Sequence, residues 1–211
     1  MRVLITAGPT REPIDAVRFI SNRSSGRMGL ALAAAAAEAG HQVTLLLGPV
    51  AEPVDLPKSV HVVRFVTAAD LQTSLLAHFD ACDWLIMAAA VADYRPVRPA
   101  AGKLPRSHQP GSTLHLELEP TPDLVAQVTA YKRPGQKIIA FALEEPEHLQ
   151  ARAFAKLQSK GVDAIVANPL STMESDAIQM LWITPDGRCE TAPPMSKADA
   201  APWILARIAH L

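Results

Sequence analysis

Apolar positions in the first half of the chain alternate between short continuous runs and a longer helical segment. Residues 2–7 and 42–47 form continuous apolar runs, which are typical of strands buried on both faces. Between them, the alanine-rich segment 26–40 predicts a helix that ends at its own glycine. A strand, a helix and a strand in this succession predict neighbouring parallel strands.

The same rhythm continues toward the middle of the chain. Residues 60–66 predict a strand, residues 67–79 predict a helix capped by Thr67, and residues 84–90 predict another fully buried strand. The first half therefore predicts a doubly wound α/β unit.

Helices and strands also alternate in the second half. Thr121 is expected to cap a helix over residues 122–131, with Pro122 at its first position. No internal repeat or change of composition marks a second domain, so we predict a single domain over residues 1–211. The remaining predicted elements are strands at 113–119, 137–143 and 164–167, helices at 148–160 and 197–210, and a hairpin of 177–183 with 188–192 turned by Pro-Asp-Gly.

The segment from about 94 to 112 breaks this periodicity. It contains four prolines, two glycines and the basic residues Arg95, Arg98, Lys103, Arg106 and His108. A long irregular segment inside a compact domain is usually a linker or a functional lid. We call residues 94–112 the lid segment and predict that it is flexible.

Composition and charge restrict the class of ligand. The chain has 211 residues, of which 49% are hydrophobic and 19% charged, as in ordinary globular proteins. A formal net charge of −1 provides no basic field for DNA or RNA, although a small anion can still be bound. We find no signal peptide and no apolar run of the about 20 residues that span a bilayer, so we expect a cytoplasmic protein without a membrane partner.

The loop after the first strand is the first candidate site. Ligands of parallel α/β sheets bind beyond the carboxyl ends of the strands, where this loop leads into the helix. Ser24 or Ser25 can cap that helix, Gly26 allows close backbone approach, and Asn22 offers both a donor and an acceptor. The alternative is a plain cap and turn. The fingerprint GxGxxG is absent here, which disfavours a nicotinamide-dependent reductase.

The end of the strand at 84–90 is the second candidate. The small alanines Ala88 and Ala89, which follow Met87, let a planar ligand approach the backbone of the strand end, and Asp93 could bind ribose hydroxyls or help to hold a metal. In the alternative interpretation the alanines pack between sheet and helix, and Asp93 forms a turn.

Three further groups are ambiguous on the residues alone. Lys103 is either a solvated loop residue or a cation that a lid brings over a triphosphate. Lys156 and Lys160 lie on one helical face and can reach the same polyanion, but paired surface lysines are common. The segment Thr121-Pro122-Asp123-Leu124 has the residues of an ordinary helix start.

Taken together, these motifs resemble the phosphopantothenate–cysteine ligases, also called phosphopantothenoylcysteine synthetases. The resemblance rests on ITAGPTREPIDAVRFISNRSSGRMG, AAAVADYRP, the lid lysine, the Pro-Asp helix start, FALE and the K-x-x-x-K helix before DAIVAN, all in the family's order. It covers nearly the whole chain and points to the bacterial CTP-dependent type without the fused decarboxylase, either a stand-alone ligase or an excised domain.

The resemblance implies a Rossmann-like, three-layer αβα fold with a mostly parallel sheet, a C-terminal β-hairpin, a basic lid and a homodimer. It implies that 4′-phosphopantothenate reacts with CTP to give an acyl-cytidylate and pyrophosphate, and that L-cysteine then displaces CMP in a step of coenzyme A biosynthesis. Mg²⁺ is expected to be bound through the triphosphate, with no metal site formed by side chains alone. A separate phosphopantothenoylcysteine decarboxylase is a possible partner.

The resemblance also implies roles for particular residues. Asn22, Arg18 and Lys103 would act in catalysis, with Arg18 supporting the loop of Asn22. The acyl substrate would be bound by Asn22, Ser24, Ser25 and Gly26. The nucleotide would be bound by Met87, Ala88, Ala89, Asp93, Lys103, Thr121, Pro122, Asp123, Leu124, Phe141, Lys156 and Lys160.

Two positions depart from the family's pattern. The lid motif K-x-K-K is Lys103-Leu104-Pro105-Arg106, which loses the middle cation. The motif N-P-D-[IL] begins with Thr121, which replaces an asparagine amide by a hydroxyl. These changes bear on lid kinetics and base selectivity, and they make a non-catalytic nucleotide-binding module the rival hypothesis.

Overall fold

Fourteen strands and five α-helices form the described part of the chain. The computed structural model describes residues 1–51, 55–106, 113–172 and 175–211. The strands are β1 (Arg2–Ala7), β2 (Arg11–Pro13), β3 (Phe19–Ser21), β4 (Gln42–Leu47), β5 (His61–Arg64), β6 (Trp84–Met87), β7 (Tyr94–Pro96), β8 (Leu118–Pro120), β9 (Lys137–Glu144), β10 (Ala164–Pro169), β11 (Ala177–Ile178), β12 (Leu181–Ile183), β13 (Cys189–Thr191) and β14 (Met195–Ser196). The helices are α1 (Arg27–Glu38), α2 (Ala68–Phe79), α3 (Leu124–Thr129), α4 (Leu149–Lys160) and α5 (Lys197–Ile208), with 3-10 turns at Pro146–His148 and Leu170–Thr172.

The central sheet is mostly parallel and has eight strands. Their order is β13-β12-β10-β9-β6-β1-β4-β5, and only β12 and β13 run antiparallel to their neighbours. Strand order moves outward from β1 in both directions, so β1 and β6 flank the switch point of a doubly wound sheet. The predicted Rossmann-like α/β fold is confirmed.

The helices cover both faces of this sheet. Alternate residues of each central strand enter different cores: Ile5 and Ile86 pack beneath α1 and α5, whereas Leu4 and Leu85 pack beneath α2, α3 and α4. All four side chains are completely or almost completely buried. Burial on both faces is the reason why these strands read as continuous apolar runs in the sequence.

The start of α3 differs from the prediction. The cap is Asp123, whose carboxylate accepts the Ala126 N–H at 3.1 Å, and Pro122 lies before the helix. Thr121, the predicted cap, instead donates its hydroxyl to the Ala92 carbonyl oxygen at 2.5 Å. The Asp123 carboxylate therefore caps a free N–H group at the start of α3. The Thr121 hydroxyl instead connects this segment to the residues that follow β6.

The C-terminal hairpin is shorter than predicted and lies at an edge of the main sheet. β12 pairs with β13 through the predicted Pro-Asp-Gly turn, where Gly187 has a φ of 83°. β12 also pairs with β10, so the hairpin extends the sheet. The preceding residues do not continue it, because β11 pairs with β14 in a separate two-stranded ribbon.

The lid segment begins with secondary structure. β7 pairs with β8, and Arg95 forms an ion pair with Glu119 across that ribbon. The predicted strand over residues 113–119 is therefore wrong for its first part, because β7 supplies only three partner residues. Residues 107–112 of the predicted lid lie outside the described residues.

None of the described helices combines the length and the apolar character needed to cross a membrane.

Candidate active site

A cleft of about 740 Å³ opens at the carboxyl ends of the central parallel strands. It lies at the switch point of the sheet, where doubly wound proteins bind their ligands. The cleft brings together fifteen of the seventeen predicted site residues: Asn22, Ser24, Ser25, Gly26, Met87, Ala88, Ala89, Asp93, Thr121, Pro122, Asp123, Leu124, Phe141, Lys156 and Lys160.

One wall of the cleft is the start of α1. The residue before the helix is Gly26, which has a φ of 76° and provides no side-chain cap. The predicted cap by Ser24 or Ser25 is therefore wrong, although the Ser24 hydroxyl accepts the Gly26 N–H at 3.3 Å. The start of α1 therefore borders the cleft without a side-chain cap, an arrangement that favours an anionic ligand.

Gly29 brings this helix close to β1. A Cβ atom added at Gly29 would lie 2.4 Å from the Ala7 Cβ and 3.1 Å from the Thr6 carbonyl oxygen. Real Cβ atoms do not approach that closely, so any side chain here must push α1 away from the strand. The start of α1 can therefore lie this close to β1 only because Gly29 has no side chain.

We expect Gly29→Ala to destabilise the protein by about 1–3 kcal/mol, the usual range for overpacking a filled interior. Chemical denaturation of the two proteins measures this difference. Gly102→Ala is the matched control, because nothing lies within 4 Å of its added Cβ. A Gly29→Ala protein as stable as the control would contradict the packing argument.

Asn22 joins the two loops that the sequence marked as separate candidates. Its Nδ2 donates to the Val91 carbonyl oxygen at 3.0 Å, across 69 residues of sequence. The residue is exposed to the cleft, and no described residue donates to its Oδ1. The second Nδ2 hydrogen and the amide oxygen are therefore oriented and available to a ligand.

Two buried threonines hold the strand end that forms the floor of the cleft. Thr6 Oγ1 accepts the Ala89 N–H at 3.0 Å, and Thr10 Oγ1 accepts the Ala92 N–H at 3.0 Å. Both threonines are completely buried. The continuous strand ends at Met87, three residues earlier than predicted. Beyond it, Ala90 still forms a bridge with Pro9, and the two threonine hydroxyls hold the residues on either side of that bridge. Sequence reasoning missed both threonines.

Asp93 has the position expected of a ligand-binding carboxylate. It lines the cleft, its residue is exposed, and its carboxylate makes no hydrogen bond or ion pair with any residue that the structure describes. Its backbone carbonyl accepts the Thr121 N–H at 2.9 Å, which connects it to the start of α3. The carboxylate is therefore available to hydroxyl groups or to a cation.

The two lysines of α4 reach the cleft in paired form. Lys156 Nζ lies 2.6 Å from Glu144 Oε1, and Lys160 Nζ lies 3.4 Å from Asp123 Oδ2. Burial of Glu144 raises its pKa, but the ion pairs with Lys156 and Arg152 outweigh burial, so the pKa lies below its ordinary value. Glu144, the last residue of the FALE motif, had no predicted role, and it fixes Lys156 in the cleft wall.

The lowered pKa of Glu144 predicts a pH-dependent contribution to stability. Such a carboxylate stabilises the fold above its unfolded-state pKa of about 4.3 and loses that contribution as pH falls through the folded-state pKa. We expect Lys156→Met to be less stable than the wild type near neutral pH, and the difference to shrink below about pH 4. Urea denaturation across pH measures it.

Lys58→Met provides the control for this charge removal, because Lys58 is exposed and makes no hydrogen bond or ion pair with a described residue. A stability difference for Lys156→Met that stays constant between neutral pH and pH 3 would contradict the role of the Glu144 pair.

Arg18 and Lys103, two of the three predicted catalytic residues, do not line the cleft. Arg18 forms an ion pair with the buried Asp15 and donates to the Leu104 carbonyl oxygen at 2.8 Å. Asp15 also accepts the Leu104 N–H at 3.0 Å, and these contacts attach the lid segment beside the exposed Lys103. The Arg18 guanidinium and nearby backbone N–H groups hold the pKa of Asp15 well below its usual range, despite burial.

The family model that matches this chain decides its family. The model describes the DNA/pantothenate metabolism flavoprotein C-terminal domain, and the match covers residues 1–211. The chain belongs to this family.

Curated relatives of this pantothenate-metabolism domain are longer proteins. The chain is 38% identical over 188 residues to the Coenzyme A biosynthesis bifunctional protein CoaBC of Escherichia coli (strain K12), covering 86% of this chain and 46% of that protein. The same-named protein of Bacillus subtilis (strain 168) is 38% identical over 214 residues, covering 99% and 51%. A protein of an unknown prokaryotic organism, named Cysteine/Cysteine sulfinic acid decarboxylase, is 44% identical over 170 residues, covering 80% and 46%. The chain thus spans about half the length of these relatives.

Solved structures share the fold of the pantothenate-metabolism domain. The crystal structure of the C-terminal domain of CoaBC has a TM-score of 0.83 at 35% identity, covering 99% of this chain and 94% of that one. The Cab2 H337A variant in complex with phosphopantothenate-cysteine has a TM-score of 0.80 at 18% identity, covering 99% and 86%. The second likeness establishes the fold alone.

Asn168 and Lys197 are polar cleft residues of this pantothenate-metabolism domain for which no role was predicted. Asn168 at the end of β10 lines the cleft, and its Oδ1 is buried without a hydrogen-bond partner. Lys197 lines the same cleft from the start of α5. Asn168 lies in the DAIVAN motif and could have been selected as a polar residue at a strand end, but Lys197 carries no comparable signal.

Proposed function

We propose that this chain joins 4′-phosphopantothenate to L-cysteine by way of an acyl-cytidylate made from CTP. The single observation that carries the proposal is the cleft itself, which places Asn22, the Asp93 strand end and the lysines of α4 around one volume. The similarity to proteins named for coenzyme A biosynthesis supports the choice of substrates. The cleft volume also lies within the usual range of about 300–1,000 Å³ for small-molecule sites.

In the first proposed step, a carboxylate oxygen of phosphopantothenate attacks the α-phosphorus of CTP. A carbon-bound oxygen becomes joined to phosphorus, the bond between the α- and β-phosphates breaks, and pyrophosphate leaves. The Asn22 amide, held by its bond to the Val91 carbonyl, would donate to the oxygen that gains charge. Lys156 and Lys160 would offset the charge of the nucleotide phosphates from the α4 wall.

In the second proposed step, the amine of cysteine attacks the acyl carbon of the cytidylate. The new amide bond forms as the acyl–oxygen bond breaks, CMP leaves, and the amine gives up a proton. A free carboxylate is a poor acyl donor, so the first step supplies the leaving group that this reaction needs. Lys103 would act on the triphosphate or on this step if closure of the lid segment brings it over the cleft.

The cleft residues are compatible with Mg²⁺ delivered by the nucleotide. Mg²⁺ is usually bound through one or two carboxylates together with substrate phosphates and water. Among the described residues no cluster of three or more metal-ligating side chains exists, but Asp93 offers one carboxylate without a protein partner. Asp93 would hold the ion, which would neutralise charge on the phosphates.

Thr121 bears on the choice between CTP and ATP. Its hydroxyl hydrogen is used in the bond to the Ala92 carbonyl oxygen, so Thr121 can offer a base only an acceptor. An asparagine amide at this position would keep a second donor hydrogen. Selectivity for cytosine is therefore expected to rest on backbone groups of the Met87–Ala89 strand end more than on this side chain.

A comparison of nucleotides in a pyrophosphate-release assay tests the proposal. We expect release with CTP and phosphopantothenate, a slower reaction with ATP, and formation of phosphopantothenoylcysteine, detected by mass spectrometry, only after addition of cysteine. Omission of phosphopantothenate is the control. Binding of CTP without release of pyrophosphate would support the rival nucleotide-binding module instead.

We also propose that two copies of the chain form a homodimer through two of the small two-stranded ribbons, β2–β3 and β7–β8. Large apolar side chains are exposed on or beside them, namely Val17, Phe19, Tyr94, Leu114, Leu116 and Leu118. Light scattering at micromolar concentration should give twice the mass of the 22.6 kDa chain, and Leu118→Asp should give a monomer. Tyr131→Asp, at an exposed site of a different surface, should leave the dimer intact. A monomeric wild type would contradict the proposal of a homodimer.

A separate phosphopantothenoylcysteine decarboxylase remains a prediction for a second protein partner.

A further inference from the structure

The mechanism proposed above assigns no role to the ammonium group of Lys197. Lys197 is the first residue of α5 and is half-buried in the wall of the cleft. Its backbone N–H donates to the Asp176 carbonyl oxygen at 3.0 Å. Its side chain makes no hydrogen bond and no ion pair within the part of the chain that the structure describes.

Other lysines of the cleft are compensated by carboxylates. Lys156 is paired with Glu144, and Lys160 is paired with Asp123. Each of those ammonium groups therefore has a fixed negative neighbour before any ligand arrives. Lys197 differs from both because no described carboxylate lies within ion-pair distance of its ammonium group.

The surroundings of Lys197 disfavour its positive charge. Burial lowers the pKa of Lys197, the positive charge of Arg27 lowers it further, and the charge of Asp176 opposes these effects in part. Arg27 Nη1 lies 2.6 Å from Asp176 Oδ1, but that carboxylate side chain is 91% exposed and therefore well screened by water. Arg27 and Lys197 thus place two positive charges beside the solvated Asp176 carboxylate at this end of the cleft.

The position of this pair indicates the kind of ligand. Arg27 is the first residue of α1, directly after Gly26, and both line the cleft together with Lys197. A half-buried ammonium, a guanidinium and a helix start without a side-chain cap together favour a compact, multiply charged anion, of which a phosphate group is the common biological example.

We propose that Lys197 binds a phosphate group of a substrate, with Arg27 beside it, at the α1 end of the cleft. The inference rests on the proposed function, in which two substrates carry phosphate groups. The phosphate belongs either to the triphosphate of the nucleotide or to the terminal phosphate of the acyl substrate. Lys197 then contributes to affinity and orientation and takes no proton in the reaction.

Binding measurements on the intact chain test this role without requiring turnover. Calorimetry compares the wild type with Lys197→Met, Lys197→Arg and the exposed control Lys58→Met. The ligands are CTP, cytidine, 4′-phosphopantothenate and pantothenate, so that each phosphorylated ligand has a partner without phosphate. A merely structural role for Lys197 would weaken binding of both members of a pair equally.

We expect Lys197→Met to weaken binding of one phosphorylated ligand by about 10- to 100-fold, the usual value of a charge-assisted hydrogen bond. Its phosphate-free partner should be unaffected, and Lys197→Arg should recover most of the loss. A loss confined to CTP assigns the site to the triphosphate, and a loss confined to phosphopantothenate assigns it to the acyl substrate.

Three results would overturn the inference. Wild-type affinity of Lys197→Met for both phosphorylated ligands would do so and leave the proposed function intact. Equal weakening of phosphorylated and phosphate-free ligands would assign Lys197 a structural role. Failure of the wild-type chain to bind either CTP or phosphopantothenate would overturn the proposed function and this inference together.

Discussion

Replacing Asn22 by aspartate should lower turnover by about 10²- to 10³-fold, the usual cost of losing one donor that stabilises developing charge. The amide now donates to the Val91 carbonyl oxygen and keeps a second hydrogen for the substrate. A carboxylate has no hydrogen for either partner and would repel both the carbonyl oxygen and the anionic acyl phosphate. The rate of pyrophosphate release with phosphopantothenate and CTP measures the effect.

The fold should survive this change, because Asn22 is exposed and its only side-chain contact among the described residues is that one bond. The melting temperature should therefore stay close to that of the wild type. Gln150→Glu makes the same change from amide to acid at an exposed position of α4, outside the cleft, and should not alter turnover. Turnover of Asn22→Asp equal to that of the control would remove Asn22 from the mechanism.

The second large effect is expected from Asp15, which does not touch the cleft. Asp15 accepts hydrogen bonds from Arg18 and from the Leu104 N–H, and so attaches the lid segment beside Lys103. Asp15→Asn loses the charge that holds Arg18 and should release the segment. If Lys103 acts from this lid, its misplacement should lower turnover by on the order of 10²-fold.

Two measurements separate this explanation from a loss of folding. Hydrogen exchange should show faster exchange of the Leu104 amide in Asp15→Asn, whereas central strands such as β1 keep their protection. The double variant Asp15→Asn, Lys103→Met should lose no more activity than the worse single variant, because both changes act on one group. Additive losses would show that Asp15 acts independently of Lys103. Asp55→Asn, an exposed acid without a described partner, is the control.

Elements that depend on local sequence were predicted well. β1 and β4 have the predicted bounds because strands buried on both faces leave an uninterrupted apolar run. Thr67 caps α2 as predicted, and the carboxylate of Asp70, only three residues away, accepts the Thr67 N–H in return. The clustering of motifs at strand ends was also predictable, because parallel strands place their carboxyl ends at one edge.

Features that depend on distant partners were not predictable in this way. The strand expected at residues 113–119 needed a pairing partner, and only three residues of β7 provide one. Asp15 reaches Leu104 across 89 residues of sequence. Lys197 enters the cleft only because α5 packs beside α1 on the same face of the sheet. None of these long-range contacts produces a periodic pattern or a local motif in the sequence.

Isotope exchange between labelled pyrophosphate and CTP tests the central claim most directly. A reversible acyl-cytidylate step returns label to CTP when phosphopantothenate is present, even without cysteine. We expect exchange that requires phosphopantothenate and that falls in Asn22→Asp by about the same factor as turnover. Absence of exchange under conditions where CTP and phosphopantothenate both bind, or exchange that does not need phosphopantothenate, would contradict it.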